Sequence, residues 1–332
     1  MSNLSTWRTR MNPPMSGVYV APERTTVVDA MDRWLDTPNA VQTLFTPWRR
    51  DAIDHLFESL LPRIWNAGRV PLLTWEPYLV ADTPPDITSR IAAGDFDAYL
   101  DDWAGRLADW LAGPDGEWGT VDDRRLYLRL AHEMNGDWYP WSPTVGESTP
   151  DDYIDMWRHV HDALARADID PAHCQWIWCV NHADVGEHAA EACYPGDEYV
   201  DWVGLDGFNW GRSQEWSDWH APAAVFDDML GRLDSFDKPI CVPEVGCSTL
   251  TADGHDPARK ADWLRAAIDY FDGRVQLYSW FNEDKETDWA VFGGRNGTDS
   301  TDGYACYPAY REALGDHEPS TPPIDDATFR GV

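Results

Sequence analysis

Residues 125–141 read RLYLRLAHEMNGDWYPW, and the first half of that stretch decides the fold. Leu126, Leu128 and Leu130 alternate with Tyr127, Arg129 and Ala131, the period of two that a β-strand imposes. The leucine face suits packing against helices, and the other face leads to Glu133. Similar apolar runs recur at 17–20, 41–45, 70–75, 174–180, 200–206, 239–243 and 275–280, which with 125–131 makes eight. Between them lie amphipathic stretches such as 50–66, 96–111, 152–167, 223–234 and 257–271, with Gly68 as a helix stop. Strands alternating with helices from end to end predict an α/β fold, a (β/α)8 TIM barrel. One domain is expected over 1–314. The Pro- and Asp-rich end, 315–332, reads GDHEPSTPPIDDATFRGV and is expected to be an extended or disordered tail.

Composition narrows the function. Of the 332 residues 58 are acidic and 26 basic, a net charge of −32, and only Lys238, Lys260 and Lys285 are lysines. Such a field repels nucleic acid and anionic membranes. No apolar run approaches the roughly 18 residues that cross a bilayer. The acids are spread over the whole length, so self-repulsion should be relieved by salt, the pattern of proteins from salt-accumulating halophiles. Residues 1–15 lack the apolar core of a secretory leader, which predicts a cytoplasmic protein or one whose leader has been removed. The six cysteines form no CxxC pair, so free thiols are expected, with one disulfide involving Cys241 or Cys247 as the alternative. No cofactor or metal is expected, and a monomer is. Twenty tryptophans are unusual. Several, including Trp138, Trp141, Trp210, Trp216 and Trp219, sit beside Gly, Asn or Asp in loops, where an indole face can stack on a sugar ring while polar neighbours bind its hydroxyls.

In a barrel of this kind reactive groups lie where strands end. The candidate strands end in His132-Glu133, Asp206, Glu244 and Trp280. Alternation groups Ile240, Val242 and Glu244 on one face, and Gln276, Tyr278 and Trp280 on another. Both glutamates then point into the barrel mouth. Breaking a glycosidic bond needs one carboxylic acid to protonate the leaving oxygen and one carboxylate to attack or to activate water, and two glutamates on different strands supply that pair. A metal-dependent hydrolase would need a ligand cluster that the ten histidines do not spell out. A non-catalytic carbohydrate-binding barrel is the rival of another class.

HEMNGDWYPW, residues 132–141, resembles the acid/base motif of glycoside hydrolase family 26, and PEVG, 243–246, resembles its nucleophile strand. The likeness continues through YPGDEYVDWVGLDGFNWG at 194–211 and SWFNEDKETDW at 279–289, so it covers most of 17–289. The resemblance implies a retaining endo-β-glycanase that cleaves β-1,4 linkages of a plant-type polysaccharide. Mannan is foremost, with mixed-linkage glucan or xylan as alternatives. It assigns Glu133 as acid/base, Glu244 as nucleophile and His132 as a group near the nucleophile or the sugar. Strict alternation puts His132 and Glu133 on opposite faces, so the resemblance calls for a bulge or strand end there. It also implies Trp280 as the floor of the subsite of cleavage and Trp138 on the leaving-group side, with Trp141, Asn135, Asn209, Trp210 and Asn282 along the cleft and Glu76 and Lys285 in far subsites. Relatives usually carry tyrosine where this chain has Phe208, so Glu244 should lack one hydrogen bond unless Asn209 or Tyr278 supplies it.

Overall fold

A computed structural model describes residues 13–332. The opening segment read for a leader lies outside them as far as residue 12. Eight strands run β1 (Met15–Tyr19), β2 (Val41–Pro47), β3 (Val70–Glu76), β4 (Leu126–Leu130), β5 (Cys174–Asn181), β6 (Trp202–Asn209), β7 (Ile240–Cys247) and β8 (Leu277–Phe281). Each falls within a few residues of an expected apolar run. They close into a parallel barrel in chain order, β8 pairing with β1 from Met15–Leu277 to Tyr19–Phe281. Helices surround the sheet, and Pro150, Pro222, Pro257 and Pro308 each open one, where a missing N–H costs nothing. Thr149 adds a capping box, its side chain accepting from Asp152 N–H while the Asp152 carboxylate accepts from Thr149 N–H.

The barrel has two cores. On the outside, Leu126, Leu128 and Leu130 meet the helices as their spacing predicts, and Trp75 stacks on Trp103 at 3.9 Å. Inside, the lower half is filled by Met15, Val41, Val70, Leu72, Tyr127, Ile177, Trp202, Cys241 and Leu277. Phe329 belongs to the same cluster and is fully buried.

That residue corrects the reading of the tail. The helix Pro308–His317 continues past Gly315, and a second short helix, Asp326–Arg330, is capped by Asp325 accepting from Thr328 N–H. Phe329 plugs the N-terminal end of the barrel, with its ring 4.8 Å from Tyr127 and its carbonyl accepting from Tyr127 Oη at 2.9 Å. Prolines and aspartates give the segment a disordered composition, but the buried Phe329 ring, a bridge from Ser320 to Met15 and the Arg125 bond to Ile324 O tie it to the barrel. The cysteines are all free and buried, so the alternative of a disulfide falls. Among the described residues no helix is long and apolar enough to cross a membrane.

Candidate active site

β4 stays regular as far as Leu130 and then turns, because Ala131 and Glu133 both adopt left-handed backbones, φ 44° and 53°. A left-handed alanine costs on the order of 1 kcal/mol. Fixed partners offset it: Ala131 N–H donates to Trp75 O at 3.0 Å, Glu133 N–H to Cys179 O at 2.9 Å, and Tyr153 Oη–H to Ala131 O at 3.0 Å. The strand end that the resemblance called for is therefore present, and His132 and Glu133 both reach the barrel mouth.

Glu244 arrives by a different device. Gly204 and Gly207 on β6 pair with Cys241 and Val245 on β7, so β7 spends one residue more than β6 over the same rise. β8 registers the same excess, pairing Tyr278 with Val242 but Trp280 with Val245. The bulge falls at Pro243-Glu244, where a proline has no ladder N–H to lose. It overturns the expectation that Ile240, Val242 and Glu244 share a face. Ile240 and Val242 pack outward, Cys241 packs inward, and the extra residue swings Glu244 into the mouth.

Arg129, on the inner face of β4, ties these parts together. Its guanidinium donates to Glu244 Oε1 and to Asp206 Oδ2, each at 2.6 Å, and to Thr74 Oγ1 at 2.8 and 2.6 Å. Arg129 is wholly buried, and a buried cation is tolerated only when paired in this way. His132 sits beside it, with Nε2 3.1 Å from Tyr139 Oη and 3.7 Å from Glu244 Oε1. Burial, reinforced by the Arg129 charge, holds its imidazole well below the usual range, so the ring is neutral at pH 7. His132, Asp206 and Glu244 also bring one potential ligand atom each within 4.8 Å of one another. Arg129 already bonds both carboxylates, so a metal ion there would have to displace it.

The two glutamates differ in charge environment. Among the described residues no arginine bonds Glu133; its Oε2 accepts from Trp138 Nε1 at 2.8 Å. Burial, and after it the neighbouring Glu244 charge, pushes its carboxyl up to about 8, so it holds a proton at neutral pH. The same two causes raise Glu76, at the end of β3, to about 7.

Both glutamates open into one cleft of about 910 Å³, whose walls include Trp138, Tyr139, Phe208, Trp210, Trp216, Phe281 and Trp289 with Asp218, Lys285 and Glu286. Of the residues expected there, Glu133, Glu244, Trp138, Phe208, Trp210 and Lys285 line it. Four others do not. Trp280 packs outward between Trp263 and Tyr310, because β8 presents Leu277, Ser279 and Phe281 to the interior, the reverse of the expected face. Trp141 is buried behind the wall, stacked on Tyr139 at 4.4 Å with Nε1 donating to His132 O. Asn209 accepts from Gly211 and His220 N–H, and Asn282 from Val291 and Phe292 N–H, so both pin loops instead of facing a sugar. Asn135 likewise joins the β4 and β5 loops through Asn181. Tyr278 packs on Phe271 and Asn209 is occupied, so neither supplies the hydrogen bond that Phe208 lacks; Arg129 is the donor on Glu244.

Arg129, Tyr139, Phe281 and Trp289 were missed as site residues. An arginine on the buried face of a strand was a readable signal, since such a charge requires partners. Trp289 had no such signal, because its position depends on a loop. Trp280 Nε1 donates to its carbonyl at 3.0 Å, its own Nε1 donates to Glu286 Oε2 at 3.2 Å, and buried Lys260 bonds the carbonyls of Asp288 and Ala290 on either side.

Residues 120–230 match the sequence pattern of the family described as glycosyl hydrolase family 26. Over 261 residues the chain is 33% identical to Endoglucanase H of Acetivibrio thermocellus, covering 76% of this chain and 25% of that protein. It is 24% identical over 225 residues to a mannan endo-1,4-beta-mannosidase of Bacillus subtilis, covering 65% and 55% respectively. The catalytic domain of a GH26 endo-beta-1,4-mannanase from Bacillus sp. JAMB-750 shares the fold, with a TM-score of 0.65 at 16% identity over 96% of this chain and 90% of that one. The chain thus spans between a quarter and about half the length of these two curated relatives.

Proposed function

From a chain that belongs to glycosyl hydrolase family 26, we infer a retaining endo-β-glycan hydrolase working by double displacement. The observation that carries the reading is the contrast between two glutamates facing one cleft, one protonated and the other held by an arginine. Glu244 attacks the anomeric carbon while Glu133 gives its proton to the departing oxygen. A covalent glycosyl ester forms on Glu244, and Glu133, now a carboxylate, takes a proton from the water that releases it. Arg129 bonds one oxygen of Glu244 and leaves the other free to attack, while Asp206 fixes Arg129. Neutral His132 can hydrogen-bond beside the nucleophile without adding charge. Tryptophan and phenylalanine walls suit pyranose faces, and Trp138 couples the acid to the wall of the cleft.

β-Mannan is the first substrate in this reading. Mixed-linkage β-glucan is the second, favoured by the 33% identity to a protein named an endoglucanase against 24% to a mannosidase. The protein acts as a monomer whose partners are polysaccharides and oligosaccharides, and whose acidic surface repels nucleic acid and works best in concentrated salt. Release of reducing sugar from mannan, lichenan, xylan and carboxymethylcellulose, in molar NaCl and in dilute buffer, tests substrate and salt together. Glu244→Ala should lose turnover and regain part of it with azide, yielding the glycosyl azide of inverted configuration. Undiminished hydrolysis by that variant refutes the mechanism, and no turnover on any glycan by the unaltered protein leaves the non-catalytic binding barrel.

A further inference from the structure

Trp216 is 72% exposed, the side chain of a large apolar residue held in water at the rim of the cleft. Its loop is not loose. Gly211 turns there with φ 56°, where a Cβ would meet Leu250 O at 2.1 Å, so only glycine fits. Arg212 N–H donates to Leu250 O at 2.8 Å, Ser217 Oγ to Gly211 O at 2.8 Å, and the Arg259 guanidinium lies 4.5 Å from the Trp219 ring. A braced loop that keeps an indole exposed is a loop built to present it.

The rings behind Trp216 form a continuous wall. From Phe281 to Phe208 the centroids are 5.8 Å apart, from Phe208 to Trp289 5.0 Å, from Trp289 to Trp210 4.8 Å, and from Trp210 to Trp216 5.3 Å. The wall starts among the residues that surround Glu244 and ends at the rim. Successive planes are inclined by 51° to 85°, so it is corrugated, offering faces and edges in turn. A flat apolar ligand would not follow such a surface, whereas a chain of puckered rings with hydroxyl edges would, and Asp218 and Glu286 lie alongside to accept from those hydroxyls.

We propose that Trp216 is a distal sugar-binding platform, the outermost rung of an aromatic wall along which an extended β-linked glycan lies. This rests on the glycanase reading above. It predicts a penalty that depends on substrate length, since a short oligosaccharide spanning the scissile bond does not reach the rim. Because the indole is exposed, its removal leaves the fold intact. Trp216→Ala should lower kcat/KM on hexasaccharides and polymer about five- to ten-fold through KM, leave the shortest cleaved oligosaccharide unchanged, and be partly rescued by Trp216→Phe. The substrates are manno-, xylo- and mixed-linkage gluco-oligosaccharides of two to six units. Equal loss at every length, or no loss at any, overturns the proposal. If the unaltered protein cleaves none of them, the glycanase reading fails on its own, and calorimetric binding of the same hexasaccharides decides this one. A Kd weakened by the same factor in Trp216→Ala supports it; an unchanged Kd, or no binding by the unaltered protein, overturns it.

Discussion

The two ends of the barrel are built from the same strands to opposite purposes. At the lower end β3, β4 and β7 contribute Leu72, Tyr127 and Cys241 to an uncharged, largely apolar cluster closed by Phe329. A little higher the same strands carry Thr74, Arg129 and Glu244, and the interior becomes a hydrogen-bonded cluster of buried charge. The backbone changes with the chemistry: regular registry below, and above it a bulge in β7 and left-handed residues after β4. Burial at the lower end stabilises the fold, whereas at the mouth it raises the Glu133 carboxyl and destabilises its ionised form. Stability and reactivity are thus separated by a few residues along single strands.

The separation is broken or upheld most strongly by Glu244→Ala. Turnover should fall by about 10⁴-fold or more, yet the melting temperature should not drop, because Arg129 keeps Asp206 and Thr74 as partners. A variant that unfolds would mean the mouth also carries the fold. Phe329→Ala is the converse. Emptying that socket should cost about 3–5 kcal/mol in chemical denaturation, with kcat of the folded fraction at low temperature unchanged. A matching loss of kcat would show that the plug reaches the site.

This division also explains what could be read in advance. On β4 the alternation of Leu126, Leu128 and Leu130 with Tyr127 and Arg129 continues without irregularity to the strand end, and the reading of faces was right. On β7 the same rule gave the right destination for Glu244 by the wrong route, since nothing in ICVPE announces which residue is inserted, although Pro243 is where one would look. On β8 alternation puts Tyr278 and Trp280 on one face correctly, but alternation alone does not say which face meets the interior, and both pack outward. Trp289, which does line the cleft, belongs to a loop held locally by Trp280 and Glu286 and anchored from 28 to 30 residues away by Lys260. Local periodicity shows strands and their regular faces. It does not show which loop folds back or where a register slips.

A smaller effect comes from the proton on Glu133. With its carboxyl raised to about 8, kcat/KM should fall about ten-fold per unit as pH rises above that value. The same shift acts on stability. The carboxyl titrates near 4.5 in the unfolded chain, so its protonated form favours the folded state fully below that value, and the contribution is lost as pH rises through about 8. Glu133→Gln has nothing to ionise and should melt about 2–4 °C higher than the unaltered protein at pH 9 but not at pH 4. Equal melting at both would deny that the mouth is strained by its acid.

Phe208→Tyr should give the smallest change and tests how completely Arg129 serves the nucleophile. Arg129 donates to Oε1 of Glu244. His132 Nε2 stands 3.7 Å from the same oxygen, beyond a good hydrogen bond. Phe208 lines the cleft with Glu244, its ring held between Trp289 and Phe281, so a phenol there would bring a donor into the mouth without new apolar volume in the core. If one arginine bond suffices, kcat should change less than about three-fold, since a second donor to an already paired carboxylate adds little. If the nucleophile is under-served, the hydroxyl should raise kcat by about ten-fold, the scale of one added charge-assisted hydrogen bond in the transition state. The unaltered site, with a buried guanidinium aimed at Glu244 and fixed from behind by Asp206 and Thr74, argues for the first outcome. A rise of ten-fold or more would show that Arg129 holds the nucleophile in place without completing its hydrogen bonding.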